Sequence, residues 1–146
     1  MTVRLTPPGR RGLSRVDRRL LRSRAARLLR ELAQTGSELS VHLVDDEAMT
    51  ELNAAYRGPK RPTDVLAFSL LEGAHAEHSG ALLGDVVIGI ETAARQARAR
   101  RRTLDDEVAR LLIHGTLHLL GHDHALERDA RIMRGEERRL RRALGA

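Results

Sequence analysis

The chain has 146 residues, enough to bury a core without a disulfide or zinc staple. With 41% hydrophobic and 32% charged residues it reads as soluble and globular. It has no cysteine, which excludes disulfide frameworks, thiolate zinc fingers, iron–sulfur clusters and cysteine nucleophiles. No apolar run approaches the roughly 20 residues that span a bilayer, and MTVRLTPPGRRG lacks the apolar stretch of a secretory signal. The expected setting is the cytoplasm. The formal net charge is +6, and Lys60 is the only lysine among 26 basic residues. Arginine forks suit phosphate, so the charge points towards nucleic acid, although a GC-rich genome gives the same bias. Tyr56 and Phe68 are the only aromatics. That argues against a base-stacking platform of the RRM or OB type, leaving RNA to be held mainly by backbone charge and shape.

In chain order, Val3–Leu5 suggests a short strand and PPGRRG a turn or mobile arm. Leu20, Leu21, Ala25, Leu28, Leu29 and Leu32 recur at helical spacing, with arginines on the opposite face and Gly36 as the stop. Residues 39–44 read as a strand. Asp45 or Asp46 is placed to cap a second helix over 47–56, ended by Gly58 and Pro59. The loop GPKRPTD leads into a buried strand at 65–70, and 82–90 reads as another strand, paired with it as an antiparallel hairpin. Helices follow over 91–102, from Thr103 to Gly121, and from about 125 to 144. The order predicts an α+β fold: a small mixed sheet packed by helices, with a metal site at the end of a central helix. Residues 1–146 are expected to form one domain, with 1–15 as a short edge strand and mobile arm.

Four of the seven histidines fall within eleven residues, His114-Gly-Thr-Leu-His118-Leu-Leu-Gly121-His122-Asp123-His124. His114 and His118 are four apart on a predicted helix, so both rings leave one face. Gly121 permits a turn that returns a third imidazole to the same point. Three neutral imidazoles leave a tetrahedral zinc one open position, the catalytic pattern. Imidazoles also hold nickel, copper or iron. His122 and His124 compete for the third place, and H-x-x-x-H-x-x-G-x-x-H favours His124. Asp123 either orients a ligand ring or caps the last helix. Zinc peptidases of this spacing carry glutamate directly after the first histidine as general base. Here Gly115 stands there, which disfavours peptide hydrolysis.

Three blocks carry a resemblance. They are 53–68, NAAYRGPKRPTDVLAF, then 83–88, LGDVVI, and the histidine block. Together they resemble the YbeY family of rRNA maturation endoribonucleases over about residues 38–140. Met133, followed four residues later by Glu137, is similar to that family's C-terminal helix. Ala67, Ser69 and His122 depart from the usual pattern without touching the presumed ligands. The resemblance implies a metal-dependent, single-strand-specific endoribonuclease acting in 16S rRNA 3′-end maturation and ribosome quality control. It also implies one zinc ion per chain on His114, His118 and His124. His114 and Arg57 are the expected catalytic residues, with Arg57 matching the family's invariant arginine and clamping the scissile phosphate. Arg57, Lys60 and Arg61 are expected to bind RNA, and the partners implied are rRNA, ribosomal subunits and a ribosomal protein or assembly GTPase. No membrane or disulfide partner is expected.

Other residues carry bland expectations. Asp123, Asp85 and Met133 are expected to support the site, Asp85 by bonding the loop that holds Arg57 and Met133 by packing beneath the metal. Tyr56 is expected in the core, Thr63 and Asp64 as cap or turn, and Gly84 at a bulge or close backbone approach. His42 is expected to be structural, and His75 and His78 solvated. Two rival functions remain: a metal-dependent hydrolase of another substrate, and a non-catalytic zinc-containing ribosome-assembly factor.

Overall fold

A computed structural model describes residues 2–6, 15–56, 58–69, 82–122 and 126–146. Arg57, His75, His78, Asp123 and His124 lie outside the described residues. The elements are β1 (Thr2–Thr6), α1 (Arg18–Glu31), β2 (Glu38–Val44), α2 (Asp46–Ala55), β3 (Val65–Ser69), β4 (Leu82–Gly89), α3 (Ile90–Ala99), α4 (Leu104–Leu119) and α5 (Glu127–Leu144). The fold is α+β.

The helix starts follow side-chain capping. Asp17, Asp45 and Thr103 each accept a hydrogen bond from the backbone N–H three residues on, which fixes the first turns of α1, α2 and α4. Acidic Asp105, Asp106 and Glu107 follow at the start of α4, where the helix dipole favours them. The stop of α1 lies elsewhere than expected. It is Ala33, at φ 56°, that turns the chain, while Gly36 lies five residues past Glu31, where a Cβ would meet nothing within 4 Å. Gln34 N–H donates to Leu29 O and Ala33 N–H to Arg30 O, the paired bonds that close a helix through a left-handed residue.

The sheet order is β1-β2-β4-β3. β1 and β4 flank β2 in parallel, and β3 pairs with β4 antiparallel, the expected hairpin. The short N-terminal strand therefore forms, at the sheet edge. Alternation along the strands sends Leu39, Val41, Leu43, Val86 and Ile88 to one face. There they join Leu28 and Leu29 of α1, Leu111, Leu112 and Leu117 of α4, and Met133 and Leu140 of α5 in one core. The opposite face carries the rows Ser40–Asp85–Phe68 and His42–Val87–Leu66.

Two glycines set the close approaches. Gly84 has φ +149°, and a Cβ there would lie 2.4 Å from the carbonyl oxygen of Phe68. The β2–β4 register slips beside it, so the bulge and the close approach expected of Gly84 are both present. Gly115 lets α4 settle on the sheet, since a Cβ would meet Val86 Cγ1 at 2.8 Å and Val65 Cγ2 at 3.2 Å.

One arginine leaves the solvent face expected of it. Arg24 is buried, and its guanidinium donates to the carbonyls of Leu144, Asp105 and Gly145 and pairs with Asp106 at 2.9 Å. It thereby ties the orphan carbonyls at the end of α5 to the start of α4, which the five-donor fork allows.

Candidate active site

α4 runs across the sheet with its last turns above edge strand β3. His114 and His118, one turn apart, project from it into a cleft of about 390 Å³ lined also by Asp64, Val65, Leu66, Ala67 and Gly115. Both side chains are half-buried. The rings lie edge to face, with centroids 4.7 Å apart and planes at 73°. Their Nε2 atoms are 3.2 Å apart. Nitrogens that close need a proton or a cation between them. Around a tetrahedral zinc with roughly 2.0–2.1 Å bonds, neighbouring nitrogens stand about 3.3 Å apart, so the pair fits two corners of such a site.

Glu137, from the middle of α5, sets the tautomer. Its Oε1 lies 2.9 Å from His114 Nδ1. The hydrogen bond from His114 holds the Glu137 carboxyl below the usual carboxylate range, opposed by partial burial and helped by the positive charge of Arg110. An ionised carboxylate only accepts, so Nδ1 carries the proton and Nε2 presents its lone pair to the cleft. This is the carboxylate–histidine arrangement that orients metal ligands. A lowered acid pKa means the contribution to stability is present above the unfolded value and is lost as pH falls through the folded one. Sequence reasoning missed Glu137 as a site residue. The only signal was its place one turn after Met133, which is buried in the core. If the pair holds a metal ion, Glu137→Ala is expected to weaken its binding roughly 10- to 100-fold, with Glu137→Gln milder because its amide oxygen still accepts. Competition against a metal indicator reads this, and unchanged affinity in Glu137→Ala would reject the role.

The turn after α4 is built to redirect the chain. Gly121, at φ +92°, donates to His118 O, and His122 N–H donates to Leu117 O. This left-handed closure ends the helix within three residues of His118. His124 and Asp123 follow outside the described residues, and among the described residues no group of three His, Asp or Glu side chains could hold a metal. His122 is half-buried beside Leu120, Asp129 and Ile132.

The loop before β3 is pinned to α2. Asn53 is buried and donates to the carbonyls of Pro59 and Arg61, both at 3.1 Å, while Gly58 N–H donates to Asn53 O. Lys60 and Arg61 are consequently held outward and exposed. Asp64 accepts from Val65 N–H and from Gln96 Nε2, a turn into the strand as expected. One expectation is corrected, for Tyr56, and Asp85 finds a partner on β2. Asp85 bonds His42 Nε2 at 2.8 Å across the sheet face opposite α4, because the register sets their strands side by side. Among the described residues, its partner is thus the neighbouring strand β2. Tyr56 is 62% exposed, not core, because it caps the end of α2 outside the sheet–helix core.

The comparisons agree with this architecture. The family model described as endoribonuclease YbeY matches residues 13–145. A protein named endoribonuclease YbeY from Anaeromyxobacter sp. (strain Fw109-5) is 48% identical over 99% of this chain and 73% of its own length. One of the same name from Desulforamulus reducens is 45% identical over 75% of this chain and 73% of its own length. A solution structure from Thermotoga maritima superposes with TM-score 0.67 at 26% identity, covering 98% of this chain and 89% of that one. By the family match and the identity of these relatives, the chain belongs to the endoribonuclease YbeY family.

Proposed function

We propose that this protein is a zinc-dependent endoribonuclease that cuts single-stranded RNA during rRNA processing, including 16S rRNA 3′-end maturation and ribosome quality control. The reading is carried by the His114–His118 pair, tautomer-fixed by Glu137, in a chain of the YbeY family. His114 and His118 would hold one zinc per chain, with His124 as the third donor. A zinc so held would supply Lewis-acid activation of water and of a phosphoryl oxygen. Glu137 keeps the His114 lone pair aimed into the cleft. Arg57 is assigned the scissile phosphate, as a fork that stabilises charge developing on it. Lys60 and Arg61 steer the backbone towards the cleft from a loop that Asn53 keeps rigid. The chain has no helix, among the described residues, long and apolar enough to cross a membrane. We place it in the cytoplasm with ribosomal subunits as partners, recruited by a ribosomal protein or an assembly GTPase.

The test is metal removal. Chelation is expected to abolish cleavage of an unstructured RNA while the circular dichroism spectrum stays native, and one equivalent of zinc is expected to restore it. The fold should survive because its core of leucine, isoleucine and valine lies on the sheet and does not enclose the cleft. Loss of the fold on chelation would favour a structural ion, and undiminished cleavage would reject the metal altogether.

A further inference from the structure

The chain's only tyrosine and only phenylalanine meet at one place, and it is not the core. Their ring centroids are 4.4 Å apart, with planes at 42°. Aromatic side chains usually dominate core energetics. Here Phe68 projects from β3 onto the sheet face that α1 and α4 leave uncovered, and Tyr56 lies against it with 62% of its surface open. Phe68 follows Ala67, and the cleft of His114 and His118 is lined by Val65, Leu66 and Ala67 of the same strand. The exposed cations Lys60 and Arg61 stand on the pinned loop between the two aromatics in sequence.

We propose that Tyr56, braced by Phe68, is a stacking platform for one unpaired RNA base beside the cleft, and that this platform contributes the preference for single strands. The proposal rests on the endoribonuclease reading and deepens it. An exposed ring already held against another, here at a tilt of 42°, needs little ordering when a third ring arrives. A flat π-face accepts any base, so the site selects by strandedness and not by sequence. A paired base has its faces covered by its neighbours and cannot reach the ring without leaving the duplex. The occupant is identified by charge as well as shape. A polyanion with π-faces complements an exposed ring whose chain neighbours on the same loop include the exposed cations Lys60 and Arg61, in a chain of net charge +6, whereas an apolar peptide would make no use of those charges.

The experiment uses zinc-loaded protein and a short unstructured oligoadenylate. Tyr56→Ala is expected to raise KM roughly 5- to 150-fold, the range of one lost base–aromatic stack, with kcat little changed. Tyr56→Phe should keep the wild-type KM, and Tyr56→Leu, apolar but without a π-face, should behave like alanine. An abasic nucleotide at one position of the substrate should cost the wild type a similar factor and cost Tyr56→Ala nothing more. Discrimination against a stable duplex of the same sequence should shrink in Tyr56→Ala. An unchanged KM in Tyr56→Ala, or a fall in kcat alone, overturns the platform while leaving the nuclease standing. Failure of the wild type to cut or bind the oligoadenylate rejects the nuclease reading and the platform with it.

Discussion

His118→Ala is expected to lower kcat/KM on single-stranded RNA by at least roughly 100-fold, since even a hydrogen-bonding partner of a metal ligand is worth 10- to 100-fold. His118 is half-exposed on the last turn of α4, and its Nε2 faces that of His114 at 3.2 Å. Alanine there keeps helix propensity and opens no core cavity, so thermal stability without metal should change little. Metal content should fall together with activity. His114→Ala should match it in activity but differ in stability, because it also strands the Glu137 carboxylate that His114 now partners. Full cleavage by His118→Ala at unchanged metal content would remove this histidine from the site.

Gly115→Glu recreates the H-E-x-x-H spacing of a zinc peptidase and is expected to unfold the protein rather than give it peptidase activity. The α4–sheet contact leaves no space for a side chain. Even a Cβ would stand 2.8 Å from Val86 Cγ1 and 3.2 Å from Val65 Cγ2. Overpacking of that kind costs roughly 1–3 kcal/mol, and a carboxylate placed in the buried contact adds desolvation of similar or greater size. Gly115→Ala separates the two contributions. It meets the same clash but gains about 1 kcal/mol of helix propensity, so its net loss should be much the smaller. Urea unfolding of the two variants checks the ordering, and a wild-type midpoint for Gly115→Glu would mean that the helix lifts freely off the sheet. Gly115 is therefore explained by packing, and the absence of a glutamate there is a steric consequence of how closely α4 sits.

Elements with a local cause could be read directly from the residues. Capping residues Asp45 and Thr103, the acidic first turn of α4, and Gly121 as its end are chemistry between neighbours in the chain, so spacing alone locates them. The one-turn spacing of His114 and His118 likewise follows from helix periodicity, and the hairpin of β3 and β4 from two apolar runs joined by a short connection. Ala33 escaped notice because an alanine in the left-handed region has no sequence signature, and Gly36 nearby offered a more usual stop.

What escaped the sequence depends on which elements meet. Arg24 looks like every other arginine of α1 until the end of α5 and the start of α4 converge on it with carbonyls and Asp106. Glu137 is an ordinary helical acid until α5 crosses α4 at His114. Asp85 finds His42 only through the parallel β2–β4 register, and Tyr56 finds Phe68 only because the loop between them folds back under Asn53. The residues by themselves determined the helices, the strands and a pair of imidazoles on one face, since those depend on separations of two to four positions. The choice of which carboxylate fixes a ring, which arginine is buried and which aromatic faces solvent was made by contacts between segments far apart in the chain, and no local periodicity encodes such distances.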